Sequence, residues 1–321
     1  MLRASPHRKG SEHGDLREVP NQKAPSVYYE DDAVRLYHGS CIDVLPQLES
    51  VDHVISDPPY ARDVYIRALG NNTKKGSKTP DRLYKGAGLA RLAAGDIGHI
   101  DDLLSPVALE IARLTRRWAI VFSDAETTWR WRHELEGAGL RYIRTGAWVK
   151  PDAMPQMTGD RPGVGFEPCT ICHAQGPMRW NGGGTPATWQ HFTAKGDSRP
   201  EGHPCPKPLP LMVELVNDFT DEGETILDPF AGSGQTGKAA KLNGRKAILI
   251  EVNERYCEIA ANEMRRTEPG RLFDRVAKAK PQSLLPPLPP APPAAEGEVS
   301  HVQACDCAEC VEWRDEMEMA E

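Results

Sequence analysis

The chain has 321 residues, 39% apolar and 26% charged. That is enough apolar material to bury a full core, and no run approaches the roughly 18 apolar residues of a membrane span, so the composition argues for a cytoplasmic globular protein with no membrane partner. The net charge of −7 argues against a nucleic-acid partner until it is located along the chain: residues 291–321 hold nine acids and one base, whereas residues 61–91 hold eight bases and two acids.

Residues 1–26 are charged and rich in Pro, Ser and Gly without apolar periodicity, which predicts a disordered arm lacking the apolar core of a signal peptide. One catalytic domain is expected over residues 27–267. Val51 to Ser56 reads as a buried strand that delivers Asp57-Pro58-Pro59-Tyr60 to its exit, where open α/β sheets place their chemistry. Two consecutive prolines neither extend a ladder nor donate a hydrogen bond, so their neighbouring carbonyls stand rigidly beside a carboxylate and a phenol ring. Such a cluster suits gripping the exocyclic amine of a flat base. In a chain with 28 prolines, a plain turn is the competing reading. The basic stretch that follows, residues 61–98, is expected to be a mobile loop in which Lys74, Lys75, Lys78 and Arg82 meet DNA phosphates, against the alternative of a solvated surface loop.

Ile100, Leu103, Leu104, Val107, Ala108 and Ile111 recur at helical spacing, and strands are expected at Trp118–Phe122 and Arg141–Lys150. Cys169 and Cys172, followed by His173, have a metal-site spacing, but they lie in an apolar strand-like run, where packing is the expected role. Residues 176–202 have no clear period. Arg179, Asn181 and Gln190 there have the chemistry for base edges, and packing of Trp180 and Trp189 accounts for the segment nearly as well. A helix is expected from about Pro208 to Phe219, then a strand at Glu224–Asp228, a glycine loop, a strand at Ala247–Ile250 and a last helix from about Glu254 to Arg265. Glycines 232, 234 and 237 fit G-x-G-x-x-G, a spacing that serves a tight turn, close ligand approach and close helix packing, and Glu251 falls where a ribose-binding acid belongs. Alternating β and α elements predict a doubly wound, Rossmann-like, largely parallel sheet.

Asp57-Pro58-Pro59-Tyr60, the loop Asp228-Pro229-Phe230-Ala231-Gly232-Ser233-Gly234 and the intervening His203-Pro204-Cys205-Pro206-Lys207-Pro208 together resemble the amino-methyltransferases that act on DNA, in the motif order of their β group. The resemblance covers roughly residues 33–267. It implies S-adenosyl-L-methionine as cofactor, bound by Asp228, Phe230, Gly232, Ser233, Gly234, Glu251 and Lys207. It further implies catalysis by Asp57, Pro58, Pro59 and Tyr60 on a flipped base, with no metal. It places target recognition at residues 176–202, with Arg179 among the DNA contacts, and allows a homodimer and a separate restriction endonuclease as partner. Asp at the first motif position favours adenine N6 over cytosine N4. Ser40, Gln235 and Cys205 depart from the family pattern, where Asp, Thr and Thr are usual, and Asp43 is the candidate substitute for the first. These departures keep open a DNA-binding protein that retains the fold without catalysis. An RNA base methyltransferase is the enzymatic alternative, whereas an NAD oxidoreductase would leave Asp57-Pro58-Pro59-Tyr60 without a role.

Residues 268–300 are expected to be a proline-rich linker, with seven prolines between 281 and 295 in an extended polyproline II spacer. Residues 301–321 form an acidic tail. His301, Cys305, Cys307 and Cys310 supply four potential zinc ligands there, but the spacing is more cramped than that of zinc ribbons, and the expectation is no metal.

Overall fold

The structure, a computed structural model, describes residues 26–61, 100–155, 159–160, 162–194, 200 and 205–270. The basic stretch 62–99, the arm before residue 26 and everything beyond residue 270, including the candidate zinc ligands, lie outside the described residues.

Among the described residues, nine strands form one sheet: β1 (Ser26–Glu30), β2 (Val34–His38), β3 (His53–Ser56), β4 (Trp118–Phe122), β5 (Arg141–Val149), β6 (Phe166–His173), β7 (Thr188–Gln190), β8 (Thr225–Asp228) and β9 (Lys246–Glu251). Their order across the sheet is β1-β2-β9-β8-β3-β4-β6-β5-β7. The centre, β2 through β4, is parallel, while β1 and β6 run antiparallel to their neighbours. The α-helices among the described residues are α1 (Cys41–Val44), α2 (Leu104–Leu114), α3 (Thr128–Gly137), α4 (Leu209–Phe219), α5 (Gln235–Leu242) and α6 (Glu254–Arg266). Among the described residues, no helix is long and apolar enough to cross a membrane.

The central strands are buried at most positions because both faces are covered, and their interior residues are apolar. Alternation divides them: Ile55, Trp118, Ile120, Phe122 and Leu249 face a core shared with α4, α5 and α6, and Val54, Ala119, Val121 and Ile250 face a core shared with α1, α2 and α3. This is the doubly wound architecture that the alternating pattern predicts. Three strands went unread in the sequence. β1 and β2 lie where acids and tyrosines interrupt the apolar alternation, and β7 is only three residues long.

The chain leaves β3 towards β4 and leaves β8 towards β9, on the opposite side. The carboxyl ends of β3 and β8 therefore flank the point where the strand order diverges, which is where ligands bind in such sheets. Asp57 follows the first and Asp228 ends the second.

The segment 176–194 is held by aromatic packing. Phe219, 1% exposed, meets the rings of Trp118 at 5.3 Å, Trp180 at 4.7 Å and Trp189 at 6.0 Å between centroids. Trp189 Nε1 also donates to Asp218 Oδ2 at 2.9 Å. Phe219→Ala is expected to cost about 3–5 kcal/mol by removing the hub of this cluster. Denaturant unfolding checks this, and a loss under about 1 kcal/mol would show that the segment is held by something else.

Candidate active site

Asp228 is 2% exposed and every contact of its carboxylate joins a different element. Oδ1 accepts from Ser56 Oγ at the end of β3 (2.7 Å) and from the Phe230 backbone N–H (3.1 Å), and Oδ2 accepts from Thr236 Oγ1 in α5 (2.6 Å). Strand, loop and helix are thus tied at one side chain. Burial pushes this carboxyl up to about 6, although the three hydrogen bonds favour its charged form.

The glycine loop after β8 is shaped from the other side by Glu251. Its Oε2 accepts from the Gly232 N–H and its Oε1 from the Asn253 N–H, both at 2.8 Å, and burial raises its pKa to about 7. Gly234 caps α5 with φ +81°, and a Cβ there would stand 2.9 Å from Ala260 Cβ and 3.3 Å from the Ala260 backbone, so only glycine fits. At Gly237 a Cβ would meet Leu249 at 2.6 Å, the close helix-to-strand packing that the spacing requires. The loop borders a cleft lined by Phe230, Gly232, Ser233, Gln235, Met212, Cys205, Lys207 and Asp57. Gln235 Nε2 is buried there with no hydrogen-bond partner among the described residues, so the cleft presents an unused donor.

The cofactor and catalytic predictions therefore meet in one place. Lys207, 8% exposed, sits between them: its Nζ is 2.5 Å from Asp57 Oδ2 and 3.0 Å from Glu167 Oε2. The ammonium also lies 5.0 Å from the ring centre of Phe122, 5.8 Å from Tyr60 and 5.9 Å from Trp148. Glu167 pairs as well with Lys150 through its other oxygen. Burial opposes the charge on Lys207, but Asp57 and Glu167 outweigh it and raise its pKa above the ordinary lysine value. For Glu167 the opposing burial is outweighed by Lys207 and Lys150, which bring it down to about 2. Asp57 is held above the ordinary aspartate value by burial, with Lys207 opposing and Glu167 reinforcing. Its Oδ1 is buried and has no hydrogen-bond partner among the described residues.

Lys207 was expected at the cofactor, and it does line the cleft, but its direct partner is Asp57. Glu251 is absent from the cleft lining, and its carboxylate braces the loop backbone. Ser40 occupies the N-cap position of the short helix α1 without a side-chain capping hydrogen bond, and Asp43 stands in the first turn. Of the expected DNA contacts, Lys74, Lys75, Lys78 and Arg82 lie outside the described residues. Arg179 lies at the opposite end of the sheet from Asp57: its carbonyl accepts from Trp118 Nε1 at the start of β4, and its guanidinium pairs with Asp221 at 3.2 Å. Asn181 is engaged in bracing α4, donating to the carbonyls of Asn217 and Thr220. Gln190, exposed in β7 and in register with Val149, is at the catalytic end. Cys169 and Cys172 point into opposite cores, and burial pushes both thiols up to about 12, in keeping with packing. Among the described residues, no three metal-ligating side chains converge.

Sequence reasoning missed Ser56, Thr236, Lys150 and Glu167. Ser56 and Thr236 are a polar residue at a strand end and one at a helix start, common enough to carry no signal. Glu167 had one: a carboxylate heading the otherwise apolar run Pro168-Cys169-Thr170-Ile171-Cys172 needs a cation once the strand is buried.

The raised pKa of Asp228 has a definite sign in stability. Below about pH 4 both folded and unfolded chains hold the proton and the group contributes nothing; between about 4 and 6 the unfolded chain loses it first, so stability falls as pH rises. Asp228→Asn keeps an acceptor for Ser56 and Phe230 and removes this titration. Relative to wild type, the variant is expected to gain on the order of 2 kcal/mol between pH 4 and pH 8. Parallel stability profiles across that range in chemical denaturation would contradict it.

The profile of the DNA methylase family, whose substrates are N6 and N4 amines, matches residues 51–262, spanning both the catalytic tetrapeptide and the glycine loop. Similar curated proteins include the type II methyltransferase M.HinfI of Haemophilus influenzae, 22% identical over 263 residues that cover 72% of this chain and 68% of that one. The putative methylase YubD of Escherichia coli strain K12 is 27% identical over 229 residues, 69% of this chain and 86% of that one. Among solved structures, the M1.HpyAVI–SAM complex superposes with a TM-score of 0.54 at 21% identity, covering 72% of this chain and 98% of that one. The PvuII DNA methyltransferase, described as cytosine-N4-specific, gives 0.54 at 14% identity, covering 74% and 88%. The two structures share the fold, and the profile match carries the assignment: this chain belongs to the N6/N4 DNA methylase family.

Proposed function

We propose that the protein transfers a methyl group from S-adenosylmethionine to the N6 amine of an adenine flipped out of DNA. The observation that carries this reading is the state of Asp57: one carboxylate oxygen is pinned by Lys207, and the other is a buried acceptor with no donor among the described residues. A buried acceptor in that state is provision for an incoming N–H. Adenine is favoured over cytosine by the aspartate at the head of the tetrapeptide, as the family resemblance implies.

The cleft fits the cofactor. Its glycine backbone admits close approach, the Gln235 amide offers an unused donor, and the solved M1.HpyAVI–SAM complex shares the fold. When bound, the cofactor supplies an electrophilic methyl carbon on a sulfonium, so the protein's task is alignment. Asp57 Oδ1 and the Pro58 carbonyl accept the two amino hydrogens. That draws the nitrogen towards a tetrahedral shape and frees its lone pair from the ring. Tyr60 stacks on the extruded base, whose removal from the duplex is needed for any approach to the amine. After transfer, the nitrogen gives one proton to Asp57, whose buried carboxyl is poised above the ordinary aspartate value.

Purified protein incubated with unmethylated DNA and labelled S-adenosylmethionine is expected to yield labelled N6-methyladenine on nucleoside mass spectrometry. N4-methylcytosine would overturn the base and keep the mechanism; label appearing only in RNA would overturn the substrate. Asp57→Ala is expected to lose at least about 100-fold in turnover while still binding cofactor by calorimetry. A variant with near-normal rate would remove Asp57 from the mechanism. For the basic stretch, replacing Lys74, Lys75, Lys78 and Arg82 by Ala together is expected to flatten the dependence of log binding constant on log salt by up to about 3.6. An unchanged slope would place the phosphate contacts elsewhere.

A further inference from the structure

Glu167 belongs to none of the motifs, yet it sits one side chain away from Asp57. It lies near the start of β6, paired across the sheet with Trp148 of β5. The charges run in alternating sign: Lys150, Glu167, Lys207, Asp57, with Lys207 Nζ 3.0 Å from Glu167 and 2.5 Å from Asp57. The inner pair is well buried, with side chains 19% and 8% exposed. Asp228 on β8 adds a further negative charge beside Asp57, and the Tyr60, Phe122 and Trp148 rings surround the ammonium.

Buried ion pairs seldom repay the loss of water, so stability alone does not explain why two carboxylates divide one lysine. What the sharing changes is Asp57. An undivided cation in contact would hold that carboxylate well below its ordinary range. It would then accept amine hydrogens weakly and take up the released proton poorly. Glu167 competes for the same ammonium and returns basicity to Asp57, in line with the direction of each group described above.

We propose that Glu167 is a positioning residue for methyl transfer: by dividing Lys207 with Asp57 it fixes the ammonium on Oδ2, reserves Oδ1 for the substrate amine and sets the basicity of Asp57. Lys150 sets how strongly Glu167 competes. In the reaction the amine lone pair forms the N–C bond, the electrons of the broken C–S bond stay on sulfur, and the proton released from nitrogen passes to Asp57 Oδ1 and then to water. The inference rests on the assignment of Asp57 as the acceptor.

The test is the carboxyl titration of Asp57 by carbon-13 NMR in the ligand-free full chain, its signal assigned by loss in Asp57→Asn, together with single-turnover rates against pH. In Glu167→Gln the Asp57 midpoint and the acid limb of the rate profile are expected to fall by about 1 pH unit, with the rate plateau down about tenfold. In Lys150→Met both are expected to move the other way, because Glu167 then draws harder on Lys207. Glu167→Asp is expected to restore most of the rate. Midpoints within about 0.3 pH unit of wild type in the folded variants would reduce Glu167 to a structural role. Should Glu167→Gln not fold, the direction of the Lys150→Met shift decides alone. Full turnover by Asp57→Asn would bring down the proposal with the assignment beneath it, whereas an inactive Asp57→Asn with unmoved midpoints would bring down the proposal only.

Discussion

The site depends on the carboxylate of Asp228 being buried and fully bonded at the point where the sheet diverges. One side chain holds the end of β3 through Ser56, the loop through the Phe230 N–H and the start of α5 through Thr236. Because Ser56 immediately precedes Asp57, the tie fixes the tetrapeptide relative to the glycine loop, although the two motifs are about 170 residues apart in sequence. Glu251 performs the same service from β9, holding the Gly232 N–H. Both acids brace the loop backbone, and bracing is what gives the loop one shape to offer a ligand.

The two ends of the sheet use charge differently. At the amino end His53, Arg117, Asp221 and Glu224 form a cluster that includes a 2.8 Å contact between His53 Nε2 and Glu224 and a 3.3 Å contact between Arg117 and Asp221. Arg117, Asp221 and Glu224 are partly exposed and close the turn before β8, so their effect is local and largely screened. At the carboxyl end the charges are enclosed by aromatic rings, and each is worth more and costs more. Arg179 and Asn181 sit with the first group. Their position at the amino end removes them from the neighbourhood of Asp57, whereas Gln190, Val149 and Phe166 are exposed at the carboxyl end of the sheet.

The central strands and their covering helices were legible because both faces are buried, which writes apolar runs into β4 and β9, short apolar cores into β3 and β8, and a one-sided pattern into α2, α4 and α6. The catalytic tetrapeptide and glycine loop were legible because proline and glycine are chosen there for backbone reasons that survive without neighbours. Glu167 and Lys150 were not, since a charge network is a property of three elements meeting, and the contact of Lys207 with Asp57 was likewise outside any local reading. The packing of Trp180 and Trp189 rests on Phe219, a residue from another helix that no local reading of that segment contains.

A cluster of buried carboxyls held above their ordinary values is a cost carried by the ligand-free fold. Asp57, Asp228 and Glu251 all carry it, and all lie at or just behind one cleft. Lys207 offsets only the first directly. A ligand bearing positive charge relieves such a site, whereas a second anion adds to the cost, so the cleft selects by charge before any specific contact is made. A sulfonium cofactor fits that bias and a dinucleotide with its pyrophosphate does not. The glycine spacing leaves the two readings open in sequence, the family match over residues 51–262 decides between them, and the buried acids are in keeping with a cationic cofactor.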